Sequence, residues 1–253
     1  MARSIWKGSV SFGMVNIPVR LNLATDTKAK VSFNQFCPVH QSRINNKKWC
    51  AKGEHETSQR ELVKVYEYEK DSYVVMDEDD LEKLPLKSSR NIEIAGFVSE
   101  DDIPGPLYYQ SAYYLEPDKE AAAKSYALLL KTLAKTKRIA VAKFALRERE
   151  RLVSLRAQGG VLLLNTLHWP DEIRSTEDLE IPDVPVSAKE VAMAESLVEA
   201  MATTFAPGEF KDRYKEAVEE IVEAKVKGGT DLVEAPEAEP ATAVIDLMRS
   251  QRL

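Results

Sequence analysis

The chain has few cysteines, few histidines and no long apolar run, and these absences exclude several classes of protein. Two cysteines and three histidines occur in 253 residues, which excludes a disulfide-stapled scaffold and favours reduced thiols or metal ligands. No apolar run approaches the roughly 20 residues that a membrane-spanning helix needs. The first residues also lack the uninterrupted apolar stretch of a secretory signal. We therefore expect a cytoplasmic protein with no membrane partner.

Negative charge exceeds positive charge in the chain as a whole, and the two are unevenly distributed. The formal net charge is −6, with residues 171–253 at −11 and residues 1–170 at +5. The acidic total argues against a surface that binds polyanions everywhere. A basic first part followed by an acidic last part indicates instead a localised site for nucleic acid.

The densest basic stretch is residues 131–156, here called the basic segment, which holds nine Lys and Arg against two Glu. From Lys137 onward, cationic and apolar residues alternate. The odd-numbered cations are Lys143, Arg147, Arg149 and Arg151, and the even-numbered apolar residues are Ala142, Phe144, Leu146 and Leu152. Because side chains alternate between the faces of a strand, this pattern predicts a cationic face opposite a core face. Such a row matches a phosphate backbone, although a solvated face with its own ion pairs is the alternative.

Apolar periodicity predicts a β-rich body followed by helices. Alternating β-type residues between turn signals predict strands and hairpins in residues 3–24, 63–75 and 87–115. A helix is expected to begin at Pro117 and to end near Ala134. Residues 161–167 have the pattern of a buried strand after a Gly-Gly turn.

The last third of the chain predicts two helices and a flexible end. Residues 176–186 are acidic and proline-containing, which is typical of an extended linker. Ser187 and Glu190 form a capping box that begins the first helix, and Gly228-Gly229 ends the second. These helices either clasp a second subunit or pack on their own domain. Residues 231–253 combine an acidic spacer with a short apolar helix suited to docking a partner.

Four potential metal ligands lie within nineteen residues: Cys37, His40, Cys50 and His55. Two cysteines and two histidines fit a closed tetrahedral zinc site, which would brace the surrounding segment and leave no position for catalysis. The spacing is not that of a standard zinc finger. The alternative is that these residues bind no metal.

Five strings of the sequence are distinctive: IWKGSVSFGMVNIPV at residues 5–19, SSR at 88–90, YLEP at 114–117, ALR at 145–147 and TLHWPDEI at 166–173. These strings resemble prokaryotic Ku, the family that binds broken DNA ends in bacterial non-homologous end joining. They fall in the family's order and cover nearly the whole chain.

The resemblance implies a mixed, mainly β fold and a division of the chain. Residues 1–175 correspond to a β-barrel core that includes a bridging arm at about 31–75. Residues 176–186 are the linker, 187–230 a C-terminal α-helical arm, and 231–253 the spacer and docking segment. Two copies are expected to form a homodimeric ring.

The resemblance also implies the activity and the partners. The ring would thread double-stranded DNA ends without reading sequence, have no enzymatic activity, require no cofactor beyond the predicted structural zinc, and recruit an ATP-dependent DNA ligase. The protein would then be nucleoid-associated. Sequence-independent binding needs cations that face phosphates. The candidates are Lys137, Arg138, Lys143, Arg147, Arg149, Arg151 and Arg156 in the basic segment, Arg43, Lys47, Lys48 and Lys52 in the bridge, and Lys7, Arg20 and Arg90.

Two other functions compete with this interpretation. Asp77, Glu78, Asp79 and Asp80 suggest a metal-dependent nuclease, but adjacent acids on one helical turn diverge, and acids are also typical of a helix start. A zinc-containing DNA-binding regulator that reads bases would need a recognition helix with Arg, Asn or Gln on one face. Neither predicted C-terminal helix offers such a face.

Overall fold

The computed structural model describes residues 4–26, 29–83, 90–146, 149–177 and 179–229. The chain forms two compact units. The first comprises Met1–Thr27 and Val63–Met201, and the second comprises Lys28–Leu62 and Ala202–Leu253. In the described ranges no helix is long and apolar enough to cross a membrane.

The first unit is built on a closed barrel of seven strands. These are β1 (Trp6–Phe12), β2 (Val15–Leu23), β7 (Asn91–Val98), β8 (Tyr109–Pro117), β9 (Ile139–Leu146), β10 (Arg149–Gln158) and β11 (Val161–Leu167). Around the barrel they run β1-β2-β8-β11-β10-β9-β7. All neighbours pair antiparallel except β1 and β7, which are parallel. Closure removes the free sheet edges that would otherwise invite aggregation.

Tight turns set the register of the barrel hairpins. Gly159 and Gly160 have φ angles of 58° and 80°, a region that side-chain-bearing residues rarely adopt, and they join β10 to β11. Gln158 consequently pairs with Val161. A different constraint applies at Gly8 within β1, where a Cβ would clash with the carbonyl oxygen of Arg90. The structure requires glycine there because two backbones approach closely.

The apolar core fills the barrel interior and continues under one helix. Inward-facing residues from all seven strands are buried, as Ile17, Leu115, Phe144, Leu155 and Leu164 illustrate. Helix α2 (Ala123–Thr136) contributes its own buried stripe of Tyr126, Leu129 and Leu133 to the same cluster. Each fully buried aliphatic side chain contributes about 1.5–3 kcal/mol through removal from water.

Tyr126 fixes α2 across one end of the barrel. Its hydroxyl donates to the carbonyl oxygen of Leu115 at 2.6 Å and accepts from the amide of Leu162 at 2.9 Å. Leu115 lies near the end of β8 and Leu162 near the start of β11, so α2 covers this end. Burial raises the pKa of the Tyr126 phenol, because the charged form would lose its hydration.

The remaining elements are not strands of the barrel. The first unit also holds the hairpin of β5 (Lys64–Glu69) and β6 (Ser72–Met76), α1 (Glu78–Glu82) and α3 (Ala188–Met201). The second unit holds the two-residue strands β3 (Trp49–Cys50) and β4 (His55–Glu56), and α4 (Arg213–Gly228). Gly229, with φ 63°, ends α4 and donates its amide to the last turn.

Most of the predicted elements are confirmed. The capping box at Ser187 begins α3, with the Ser187 amide 2.8 Å from the Glu190 carboxylate. The glycine pair ends α4, and the predicted mainly β barrel is present. Helix α2 begins later than predicted, after a short 3-10 turn at Glu120–Ala122. The predicted docking segment at 231–253 lies outside the described residues.

Candidate nucleic-acid interface

The basic segment does not form the single strand that its alternation predicts. Leu146 pairs with Arg149, so β9 and β10 are the two arms of a hairpin. Side chains of directly opposed residues share a face, and Arg151 is therefore on the face of Phe144, whereas Lys143 is on the face of Leu152. The prediction of one cationic row is wrong, because the chain reversal between the strands resets the alternation. Arg147 lies outside the described residues.

Arg149 and Arg151 belong to the inward-facing row of β10, beyond the buried residues Val153 and Leu155. They lie where β10 begins, at the barrel end opposite α2, and line a pocket of about 370 Å³. Arg149 is exposed and Arg151 is half-buried. The structure thus separates them from the other predicted phosphate contacts on the outside of the barrel.

Lys143 is on the outer face of the barrel. Its ammonium lies 5.3 Å from the centre of the Trp169 ring and 3.8 Å from a carboxylate oxygen of Glu150. Both contacts are exposed, so each stabilises the protein by about 1 kcal/mol or less. Lys143 therefore has a local structural role and is also free to exchange the Glu150 contact for a phosphate.

Lys137 and Arg138 lie at the junction of α2 and β9. Lys137 ends α2 in the left-handed conformation, with φ 53°, and both side chains are exposed. A cation at the C-terminus of a helix interacts favourably with the helix dipole. Neither side chain is in an ion pair within the described part of the chain, so both remain candidates for phosphate contact.

Three predicted contact residues have carboxylate partners within the barrel unit. Arg156 lies 2.6 Å from Glu100, contacts the Tyr109 hydroxyl and is largely buried. Arg20 and Lys7 share Asp118, at 3.4 Å and 3.7 Å. These pairs correspond to the ion-pair alternative that the sequence leaves open. The Lys7 side chain is 63% exposed, and its pair with Asp118 contributes about 0–1 kcal/mol.

Arg90 lies beside the start of β1. Its carbonyl accepts from the Ser9 amide at 2.9 Å, which aligns the chain before β7 with β1. Its side chain and that of Lys7 line a shallow pocket with Trp6. The structure brings these two predicted cations together, next to Trp6.

The four cations predicted in the bridge lie in an open segment of the second unit. No residue of 29–62 is buried. Lys47 pairs with Glu56 at 2.6 Å, and Lys48 contacts the Gln59 side chain. Arg43 and Lys52 are exposed, and within the described ranges neither has an ion-pair partner. These two side chains can approach a polyanion without first breaking a contact.

The four predicted metal ligands form two Cys–His pairs. In the turn of residues 37–42, the Cys37 thiol lies 3.3 Å from Nδ1 of His40. In the β3–β4 hairpin, Cys50 pairs with His55, and the missing Cβ of Gly53 leaves space for both side chains. His55 Nδ1 contacts the Glu56 carbonyl at 3.1 Å, which leaves Nε2 available for a metal.

The two pairs do not come together into one metal site. Across the described ranges, no three Cys, His, Asp or Glu side chains are grouped closely enough to hold an ion. The geometry contains two half-sites, each with one thiol and one imidazole. A tetrahedral zinc ion would have to draw these two turns together, so the structural zinc stays a prediction.

The acidic run at Asp77 forms the start of α1. The Asp77 carboxylate accepts from the Asp80 amide at 2.8 Å, and the Asp80 carboxylate reaches back to the Asp77 amide at 3.3 Å. The helix-start interpretation is thus confirmed. Because Asp77 and Asp80 satisfy each other's backbone groups, they do not converge on a common ion.

One polar network that the sequence patterns do not predict lies at the end of β11. Nδ1 of His168 lies 2.7 Å from the Gln110 amide nitrogen and 3.0 Å from a Glu172 carboxylate oxygen. Hydrogen bonds from the Trp169 amide and then from His168 lower the pKa of Glu172. The signal was present in the TLHWPDEI string, whose His and Glu are four residues apart.

The chain matches one family model and many curated proteins. The model described as the Ku70/Ku80 beta-barrel domain matches residues 11–193. A non-homologous end joining protein Ku from Desulfitobacterium hafniense is 41% identical over 250 residues, which cover 98% of this chain and 86% of that protein. The proteins of the same name from Archaeoglobus fulgidus and Solibacter usitatus are each 38% identical, and the matches cover 97% and 92% of their lengths.

Proposed function

Because the chain belongs to the Ku family, we propose that it binds the ends of double-stranded DNA as a homodimeric ring and acts in non-homologous end joining. The observation that carries the proposal is the match over nearly the whole chain to proteins named for this process. The binding is proposed to be independent of sequence. It brings the protein to broken chromosomal DNA, which places it in the cytoplasm with the nucleoid.

The distribution of cations supports a site that recognises the DNA backbone. Arg43, Lys52, Lys137 and Arg138 are exposed and have no ion-pair partner among the described residues. Neutralising phosphates releases counterions, and this release supplies most of the free energy of non-specific DNA binding. The net charge of −6 opposes adhesion of the remaining surface to DNA. We propose these four side chains, with Lys143, Lys47 and Lys48, as the principal phosphate contacts.

Exposed apolar surface supports the proposed dimer. The β5–β6 hairpin exposes Val65 and Val75 on one face and Tyr66 and Val74 on the other. An isolated two-stranded hairpin is at best marginally stable in water, so this one requires a covering surface. A second copy of the chain would supply that cover and close the ring.

Helix α3 presents the same kind of unburied surface. Its apolar residues, among them Val191, Leu197, Val198 and Met201, are all exposed. No residue of α3 is buried. An amphipathic helix is stabilised mainly by packing of its apolar stripe, so we propose that α3 packs on the partner subunit.

We propose that the protein recruits an ATP-dependent DNA ligase and has no catalytic activity itself. Support for recruitment comes from the resemblance to the family, and the proposed docking segment is residues 243–253. The capping geometry of Asp77 and Asp80 removes the specific basis for the nuclease alternative. We also retain a structural zinc, bound by Cys37, His40, Cys50 and His55, as a brace for the second unit.

Competition between two forms of one DNA sequence tests end binding. Linear duplex should displace a labelled linear probe at least about tenfold more effectively than the same sequence as a covalently closed circle, because a ring needs an end to thread. Linear duplexes of unrelated sequence should compete equally. Equal competition by closed circles would overturn the ring, and magnesium-dependent cleavage of the linear probe would overturn the non-enzymatic assignment.

Two further measurements test the assembly and the metal. Light scattering should give twice the monomer mass of 28.4 kDa. A purely monomeric species at micromolar concentration would contradict the homodimer. Protein purified without chelator should contain about one zinc per chain. Less than about half an equivalent would contradict the zinc site, and the DNA proposal would be unaffected.

A further inference from the structure

The barrel end opposite α2 holds a pocket of about 370 Å³ whose chemistry differs from the rest of the barrel. The interior at the α2 end is filled by apolar side chains and Tyr126. At the opposite end, five strands and the residue before β1 present a mixture of cations, hydroxyl groups and aliphatic groups. A pocket with convergent polar groups in an otherwise apolar barrel is a candidate binding site.

Two arginines supply the positive charge of this pocket. Arg149 is paired with Leu146 and Arg151 with Phe144, which places both on the interior face of β10. Residues two apart on a strand are about 6–7 Å apart, so the two guanidinium groups can converge on one ligand. Within the described residues neither arginine has an ion-pair partner. Arg151 lowers the pKa of Glu172, but it is the smallest of several causes of that shift.

Neutral hydrogen-bonding groups surround the two cations. Ser111, Thr166 and Gln110 line the same pocket, as does Tyr113. Thr166 is buried, and its hydroxyl oxygen accepts from the Ser111 amide at 3.1 Å, so its hydroxyl proton is available to a ligand. The pocket therefore offers two guanidinium forks together with hydroxyl and amide donors, which is a donor set for a multiply charged oxyanion.

The remaining lining is aliphatic. Ile5, Leu23 and Leu146 lie on the same pocket, and Ile5 and Leu23 are 36% and 46% exposed. Apolar side chains beside a cationic centre fit a ligand that joins a charged group to a flat or apolar group. Inorganic phosphate alone would leave these side chains in water, whereas a nucleoside phosphate would cover them.

Size and topology favour a compact ligand. The volume is near the lower end of the roughly 300–1,000 Å³ of small-molecule sites. The barrel is closed, so no free strand edge is available to pair with an extended peptide. A carboxylate has a single charge, whereas a phosphate monoester has up to two charges and three terminal oxygens to share between two arginines.

We propose that this pocket binds the phosphate ester of a single nucleotide. Arg149 and Arg151 hold the phosphate, and Ile5, Leu23 and Leu146 contact the sugar or base. The nucleotide is either free in solution or the 5′-phosphorylated terminal nucleotide of a DNA end. Binding of a free nucleotide is independent of the proposed function, whereas binding of a terminal nucleotide rests on it.

Calorimetric titration of the full-length protein with AMP, adenosine and inorganic phosphate tests the free-nucleotide form. AMP should bind at least about tenfold more tightly than adenosine, which lacks the charged group, and than phosphate, which lacks the sugar and base. The double variant Arg149→Gln/Arg151→Gln should lose that preference. The charge-matched control Lys124→Gln/Lys131→Gln changes two exposed lysines of α2 and should retain it.

The DNA-end form is tested with one duplex that carries either a 5′-phosphate or a 5′-hydroxyl. A preference of about fivefold or more for the phosphorylated end, lost in the arginine variant and kept in the lysine control, supports it. Thermal melting shows whether each variant is folded. If the arginine variant does not fold, Leu23→Trp replaces it, because the larger side chain at this exposed rim should block the pocket.

Two results would overturn the inference. One is wild-type protein that shows neither the AMP preference nor the 5′-phosphate preference. The other is a preference that persists in the folded arginine variant or, where that variant does not fold, in Leu23→Trp. The proposed function fails by a different measurement, which is equal competition by closed circular DNA. If it fails, AMP binding still decides whether the pocket is a nucleotide site.

Discussion

The barrel and the segment of residues 29–62 differ in what surrounds their charged side chains. In the barrel unit, Arg20 and Arg156 pair with carboxylates, and the strands around them have a continuous apolar core. In residues 29–62 no side chain is buried, and six Lys and Arg face three Glu. Arg43 and Lys52 have no ion-pair partner among the described residues.

This difference indicates that the two regions are held in their structures by different interactions. The barrel has a continuous buried apolar core, and burial of apolar surface is the dominant favourable term in folding. Residues 29–62 are held by short turns and a few polar contacts, such as the two hydrogen bonds between Cys37 and the backbone of Gln41 and Ser42. Such contacts give little net stability in water. We therefore expect this segment to gain stability from DNA, from zinc or from a second subunit.

The largest expected effect comes from truncating a core side chain of the barrel. Leu155→Ala should lower the free energy of unfolding by about 2–5 kcal/mol, because Leu155 is fully buried and a cavity would remain. Val39→Ala in the open segment should change it by less than about 0.5 kcal/mol, since Val39 is 79% exposed. Urea unfolding measures both. Equal effects would show that residues 29–62 are packed in solution.

Tyr126→Phe should destabilise the barrel by about 1–3 kcal/mol, because it leaves the Leu115 carbonyl and the Leu162 amide without their partner. Burial raises the pKa of the folded-state phenol, so as pH rises the unfolded chain loses this proton first. The stability of the wild-type protein should then decline above the usual tyrosine pKa of 10.0. The variant should lack this part of the decline in unfolding experiments. An identical decline would exclude Tyr126 as its source.

Charge reversal in residues 29–62 should weaken DNA binding without affecting the fold. Arg43→Glu/Lys52→Glu should reduce affinity for linear duplex of any sequence by about tenfold or more and reduce the slope of log affinity against log salt by about two. The melting temperature should not change, because both side chains are exposed and unpaired within the described ranges. Unchanged affinity and slope would remove both residues from the interface.

The smallest expected effect is at the ion pairs of the barrel surface. Asp118→Asn removes the carboxylate shared by Lys7 and Arg20, and we expect a loss of about 0.2–1 kcal/mol. Only part of the loss should disappear at high salt, because the Asp118 side chain is 23% exposed and partly buried charges are screened less than exposed ones. A loss above about 2 kcal/mol would show that this cluster has a larger structural role than its exposure indicates.

Local patterns predict most of the secondary structure because caps, turns and alternation are properties of neighbouring residues. The capping box at Ser187, the acidic start of α1 at Asp77 and the glycine end of α4 are all confirmed. The prediction of one cationic row is wrong because Leu146 and Arg149 pair with each other across a hairpin. Arg147 and Glu148, which separate them in the sequence, give no turn signal of the Gly, Pro or Asn kind.

The sequence by itself determined the β-rich body, the helical end, the uneven charge and the family resemblance, because each depends on residue type and short spacing. Only the tertiary structure decided which cations pair with Asp118 or Glu100 and which remain exposed. It also decided that Arg149 and Arg151 lie at a barrel end beside Ser111 and Thr166. These contacts join residues far apart in the chain, and they exist only because the seven strands close into one barrel.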